Sequence, residues 1–148
     1  MQAAETTAVR VQDQRSRSRR ASFTPSTAAW CKLAVAYLLA GVVLGVAMGA
    51  SEDFTLRSVH SHLSLLGWTT LALAGLIYHQ FPEARGSRLA VIHFWTYNLA
   101  LPPMMASLAA LLLGHPGALP ILVVSQTLAS VGVLAFVANV FLHVRAVD

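Results

Sequence analysis

Six histidines and one cysteine are the residues of this chain best suited to hold a metal. A lone Cys31 excludes an intramolecular disulfide and any Cys-based metal or cluster site, so the histidines carry the question. Two of them form the triplet His60-Ser61-His62. On a regular helix successive residues turn by about 100°, so these two imidazoles face about 200° apart. They cannot chelate one ion as a pair spaced i, i+4 does. They can serve two sites, one on each flank of the same helix. Imidazole is a standard axial ligand of heme iron, and a porphyrin fits between membrane helices with its propionates near the interface. Arg57, one turn before His60, is placed to pair with such a propionate. From residue types alone three readings stay open: heme ligation, interfacial histidines facing water, and another metal.

The elements that must position these side chains are membrane spans. The chain has 148 residues, the length of one domain; it is 56% hydrophobic and only 11% charged. Soluble domains carry roughly a quarter charged residues. Residues 33–51, 58–82 and 89–144 hold no Asp, Glu, Lys or Arg at all, and the mean hydropathy is +0.63. Four apolar runs, about 30–50, 59–81, 90–113 and 119–144, each reach the ~20 residues a helix needs to cross the hydrocarbon core. Turn residues separate them: Ser51-Glu52-Asp53, Pro82-Glu83-Ala84-Arg85-Gly86 and Gly114-His115-Pro116-Gly117. The expected fold is all-α, an integral membrane four-helix bundle of antiparallel neighbours spanning residues 29–148.

Residues 1–28 read as a disordered basic tail, with Arg10, Arg15, Arg17, Arg19 and Arg20 against Glu5 and Asp13. Ser18-Arg19-Arg20 ahead of an apolar run echoes a twin-arginine export signal, but the later spans favour a cytoplasmic flank. With both termini inside, every Lys and Arg except Arg57 lies on the cytoplasmic side. The pI near 10 is then a topology signal and not one for nucleic acid. The expected location is a bacterial inner membrane, multi-pass, with His60 and His62 toward the outer face. His115 lies at a similar level, while His79, His93 and His143 lie toward the inner face. Histidines inside spans are functional candidates by default.

Two backbone features stand out. Gly41, Gly45 and Gly49 form a small-residue stripe that suits close helix packing. Pro102-Pro103 removes two backbone donors in the third span, so a kink or local unwinding is expected there, with Tyr97, Asn98 and Ser107 to satisfy freed carbonyls.

The stretch Arg57-Ser58-Val59-His60-Ser61-His62-Leu63-Ser64-Leu65-Leu66-Gly67-Trp68, continuing through Gly75-Leu76-Ile77-Tyr78 to Pro82, resembles a heme-ligating helix of the heme-copper oxidase and nitric oxide reductase catalytic subunit. A His-x-His pair, Leu-x-x-x-Gly and Gly-x-x-Tyr-x-x-x-Pro follow in that order. Ile92-His93-Phe94-Trp95 and Leu101-Pro102-Pro103-Met104 extend the similarity, which covers about residues 55–110. The resemblance implies that His60 and His62 ligate two different hemes. It implies protoheme (heme b) as cofactor, with Trp68 and Tyr78 as packing or polar contacts. It departs in size, since the catalytic subunit has about twelve helices, and in lacking the adjacent His-His pair of the copper site. Neither copper nor oxygen reduction is therefore expected. His93-x-x-x-Tyr97 has the spacing of the copper-side tyrosine helix but sits at the opposite end from His60, and with Phe94 and Trp95 it reads as an interfacial aromatic belt.

The leading expectation is a small b-type cytochrome that carries electrons or senses a diatomic gas, with an unidentified redox partner. His60 and His62 are its iron ligands; His93 and His115 are alternative ligands. A heme-free scaffold or accessory protein, and a copper or zinc handler using His79, His93 and His143, are the competing readings. Because one helix cannot offer both axial ligands to one heme, His60 of one protomer is expected to face His62 of the next. The chain has the size of one arc in the pseudo-threefold catalytic subunit it resembles. A homotrimer with interfacial hemes is the resulting expectation.

Overall fold

The computed structural model describes residues 25–144. Most of the basic tail, and Arg145, lie outside the described residues. The apolar runs become helices whose ends match to within a few residues: α1 (Thr27–Ser51), α2 (Arg57–Gln80), α4 (Arg88–Leu112) and α5 (Leu119–His143), with a single turn α3 (Pro82–Arg85) between α2 and α4. No strand occurs among the described residues. Below, the end of the helices carrying Ser26, Gln80, Arg88 and His143 is the tail end; the opposite end is the far end.

Local chemistry sets the boundaries. Ser26 and Ser87 start α1 and α4 by accepting from the amides of Ala29 and Ala90 at 3.2 and 3.1 Å. Helix α4 ends on Gly114 at φ 87, where the His115 amide reaches the Ala110 carbonyl and the Gly114 amide reaches Leu111. This is a Schellman closure, and its left-handed position favours glycine. Beyond α1, the Asp53 carboxylate accepts from both the amide and the hydroxyl of Thr55, which holds its pKa below the ordinary value.

Three helices are long and apolar enough to cross a membrane: α1, α2 and a 28-residue span ending in α5. Helix α4 is equally long at 25 residues but less apolar, because His93, Thr96, Tyr97, Asn98 and two prolines interrupt it. It is also the helix with the most buried residues, including His93, Tyr97, Leu101 and Met104. A helix covered by protein needs less apolar surface than one facing lipid.

Packing is antiparallel. Helix α1 lies along α2, α4 lies along α5, and the two hairpins meet where α2 touches α4. No Cα of α1 comes within 8 Å of one in α5, and these two helices meet only through side chains such as Trp30 and Phe136 that pack on His93. The largest fully buried side chains, Trp30, Tyr78, Tyr97 and His93 among them, gather toward the tail end.

Two backbone expectations need correction. Helix α4 stays α-helical through Pro102 and Pro103 with no unwound turn. Asn98 and Ser107 instead bond carbonyls four residues back, Phe94 and Pro103, while Tyr97 donates to Leu66 of α2 at 3.1 Å. The irregular segment is in α2, where Leu63–Thr69 is a π-helix between two α-helical stretches. Thr69 and Thr70 donate their hydroxyls to carbonyls five residues back, Ser64 and Leu65, matching the wider register. At Gly67, inside this segment, a Cβ would stand 2.6 Å from Cγ of Tyr37. Such π segments are frequent at functional sites, and this one begins right after His62.

Candidate functional site

The two far-end imidazoles are held alike by different neighbours. His60 Nδ1 lies 2.9 Å from the Gly41 carbonyl oxygen of α1. His62 Nδ1 lies 2.7 Å from the Ser58 carbonyl oxygen, one turn back on α2 itself. A carbonyl only accepts, so each Nδ1 carries a proton and donates it. In the neutral ring Nε2 then keeps its lone pair. That is the state of an imidazole ligand whose other nitrogen is oriented by a backbone carbonyl.

The rings occupy opposite flanks of α2. His60 sits half-buried in the seam with α1, over Gly45, where a Cβ would stand 2.9 Å from its Cε1. His62 lines a cleft of about 460 Å³ walled by α2, α4 and α5. That volume lies within the range of ligand and cofactor pockets. Its walls are mostly apolar, including Leu66, Met104 and Val133, with Tyr97, Gln126 and Ser130 as the other polar side chains. The lone-pair nitrogen of His62 beside apolar walls fits a heme, while His60 on the other flank stands in the seam against Gly41 and Gly45. Arg57 is exposed at the start of α2, near His60 in sequence. Trp68 is half-buried against the core and does not line the His62 cleft. His115 is exposed in the turn between α4 and α5.

The glycine stripe serves the chain's own hairpin. Gly41 meets Ser64 and Leu63 of α2, Gly45 meets His60, and Gly49 faces nothing within 4 Å. Gly41 and Gly45 are therefore covered within the protomer and do not form a free face for a partner helix.

At the tail end, His93 belongs to a different kind of site. It is fully buried, as are Tyr97 and most of Phe94, and of the four residues read as an aromatic belt only Trp95 is substantially exposed. The belt reading fails because His93, Phe94 and Tyr97 face the other helices. Hydrogen-bond directions follow from one fixed acceptor. The Ala84 carbonyl, 2.9 Å from the Asn139 amide nitrogen, identifies that atom as the donor. Asn139 Oδ1 then accepts from the Ser87 hydroxyl at 2.7 Å, and its amide also donates to the Tyr78 oxygen at 3.3 Å. The Tyr78 hydrogen is left for His93 Nδ1, 3.0 Å away. His93 therefore accepts at Nδ1 and carries its proton on Nε2, the opposite tautomer to His60 and His62.

The Nε2 atom is buried without a hydrogen-bond partner. Around the imidazole, Trp30 and Phe136 have ring centroids 4.8 Å away and Tyr97 5.5 Å. These rings enclose the imidazole from several sides. Side chains from α1, α2, α4 and α5 thus converge on one neutral imidazole. With Nδ1 engaged by Tyr78 and aromatic rings around it, His93 is a packed imidazole among four helices.

The inner-layer histidines do not converge. His79 is exposed, and His143 is half-buried with Nδ1 3.3 Å from the Asn139 carbonyl. Among the described residues no three His, Cys, Asp or Glu gather to hold a metal ion. The copper or zinc reading therefore loses its shared site. Sequence reasoning missed Trp30, which packs on the His93 ring, and Asn139 and Ser87, which stand behind its partner Tyr78. The available signal was Asn139, the one amide in the apolar run from Val131 to Leu142 of α5. No protein-family model, curated protein or solved structure matches the chain.

Proposed function

We propose that this chain is an integral membrane b-type heme protein with His60 and His62 as iron ligands, serving electron transfer or diatomic-gas sensing without a copper centre. The observation that carries the reading is the matched state of the two far-end imidazoles. Each donates at Nδ1 to a backbone carbonyl and keeps a lone pair at Nε2. The apolar cleft at His62 and the resemblance of residues 55–110 to a heme-ligating helix support it further.

Protoheme, when bound, supplies an iron that cycles between ferric and ferrous or takes a gas on an open face. The chain's own residues do the rest. His60 and His62 hold the iron, Arg57 pairs with a propionate, and the cleft walls exclude water. Trp68 contributes packing at one remove. Since the two imidazoles face opposite flanks, a heme with two histidine ligands takes His60 from one protomer and His62 from the next. That contact is head-to-tail and closes as a homotrimer. The lack of close backbone approach between α1 and α5 suits such a ring. In this reading α4 is the fourth span, sheltered by its neighbours, and both termini face the cytoplasm of a bacterial inner membrane.

The absorption spectrum of detergent-purified protein tests the function. A Soret band with α and β bands that sharpen on dithionite reduction is expected. A colourless protein from heme-replete cells overturns it and leaves a heme-free scaffold.

A further inference from the structure

The two candidate ligands differ in what orients them. His62 is tied to Ser58 on its own helix, so its direction follows from α2 alone. His60 is tied across helices to the Gly41 carbonyl, nineteen residues away in α1. Its ring also rests on Gly45, with Cε1, Nδ1 and Nε2 at 2.9, 3.3 and 3.8 Å from where a Cβ would stand. Two features of α1 therefore define one imidazole: an acceptor that chooses its tautomer and a missing side chain that makes its space. Gly49, one turn further along the stripe, has no neighbour within 4 Å and supplies an internal control.

We propose that Gly41 and Gly45 are the positioning residues of His60, so that the α1–α2 spacing decides whether its Nε2 lone pair is presented to the iron. This rests on the heme reading above for the iron, and on α1–α2 geometry alone for the seat. His62 lacks any such dependence. Movement of α1 against α2 alters one ligand and spares the other, which makes His60 the adjustable member of the pair.

Nitrogen-15 NMR of histidine-labelled, heme-free protein in detergent reads the tautomers directly. Gly45→Ala is expected to abolish the Nδ1–H signature of His60 and leave that of His62 intact. Gly49→Ala is expected to change neither. Thermal melts give a second arm. Gly45→Ala lowers the Tm beside His60, because a methyl group forced against the ring is overpacking. In a His60→Ala background the same change leaves the Tm unchanged or raises it, since alanine is the better helix former. Should Gly45→Ala alone fail to fold, the double variant must restore folding. After heme addition, Gly45→Ala shows the spectrum of a one-histidine site and Gly49→Ala that of the wild type. An unchanged His60 signature in Gly45→Ala, or an equal Tm loss in both backgrounds, overturns the proposal. If the wild type takes up no heme, the functional reading falls, and the NMR and melting arms alone decide the seat.

Discussion

His60 and His62 at the far end and His93 at the tail end put the same side chain to opposite uses. The far-end rings spend Nδ1 on a carbonyl and keep a lone pair at Nε2. His93 accepts at Nδ1, is enclosed by aromatic rings and ends a chain of directed hydrogen bonds through Tyr78, Asn139 and Ser87. A half-exposed imidazole beside an apolar cleft is equipped to bind. A fully buried one, bonded to Tyr78 of α2 and through it to Asn139 of α5, is equipped to hold the helices together. Between these three rings the direction of the hydrogen bond at Nδ1 marks the difference, and the cleft at His62 adds what His143, also held at Nδ1 by a carbonyl, does not have.

The contrast breaks first at the far end. His60→Ala and His62→Ala are each expected to remove or convert most of the heme absorbance while leaving the melting transition nearly in place. Loss of folding with no spectral change would dissolve the distinction. At the tail end, Asn139→Leu leaves the Ala84 carbonyl, the Ser87 hydroxyl and the Tyr78 oxygen without their partner. The Ala84 carbonyl still accepts from the Ser87 amide, and Ser87 Oγ from the Ala90 amide. With about 1–3 kcal/mol for a buried group left fully unsatisfied and less for these two, a loss of about 2–4 kcal/mol is expected in reversible unfolding, with heme ligation retained in the folded fraction. Tyr78→Phe removes one donor to His93 and should cost about 1–2 kcal/mol by the same measurement. His143→Ala, at the tail end but outside the aromatic shell, is expected to change stability by no more than about 0.5 kcal/mol and the spectrum not at all. The smallest effect is at Asp53, whose pKa is lowered by the Thr55 hydroxyl and then the Thr55 amide. A depressed carboxylate contributes above its ordinary pKa of 3.8 and loses that contribution as pH falls through the lower folded value. NMR titration of the Thr55 amide checks it, and a midpoint at or above 3.8 would refute it.

Much of the scaffold was legible along the chain. Apolar runs without charge became helices, and Ser26, Ser87 and Gly114 stand at boundaries where capping chemistry puts such residues. The two-residue spacing of His60 and His62 already implied opposite flanks, because that follows from helical rotation alone. The π segment at Leu63–Thr69 was not legible. It follows from Tyr37 lying against Gly67 and from hydroxyls reaching five residues back, contacts no periodicity reports. Pro102 and Pro103 misled as to unwinding, since α4 stays α-helical through both.

The residue order by itself determined that the chain is a set of apolar helices joined by short turns, and that two imidazoles leave opposite sides of one of them. Both follow from hydropathy and local backbone geometry, which act over a few residues. Tertiary structure decided which nitrogen of His60 and of His93 carries the proton. The acceptor for His60 lies nineteen residues away, and the amide that directs Tyr78 lies sixty-one residues away. A tautomer is chosen by the partner that packing delivers, and no local pattern contains that partner.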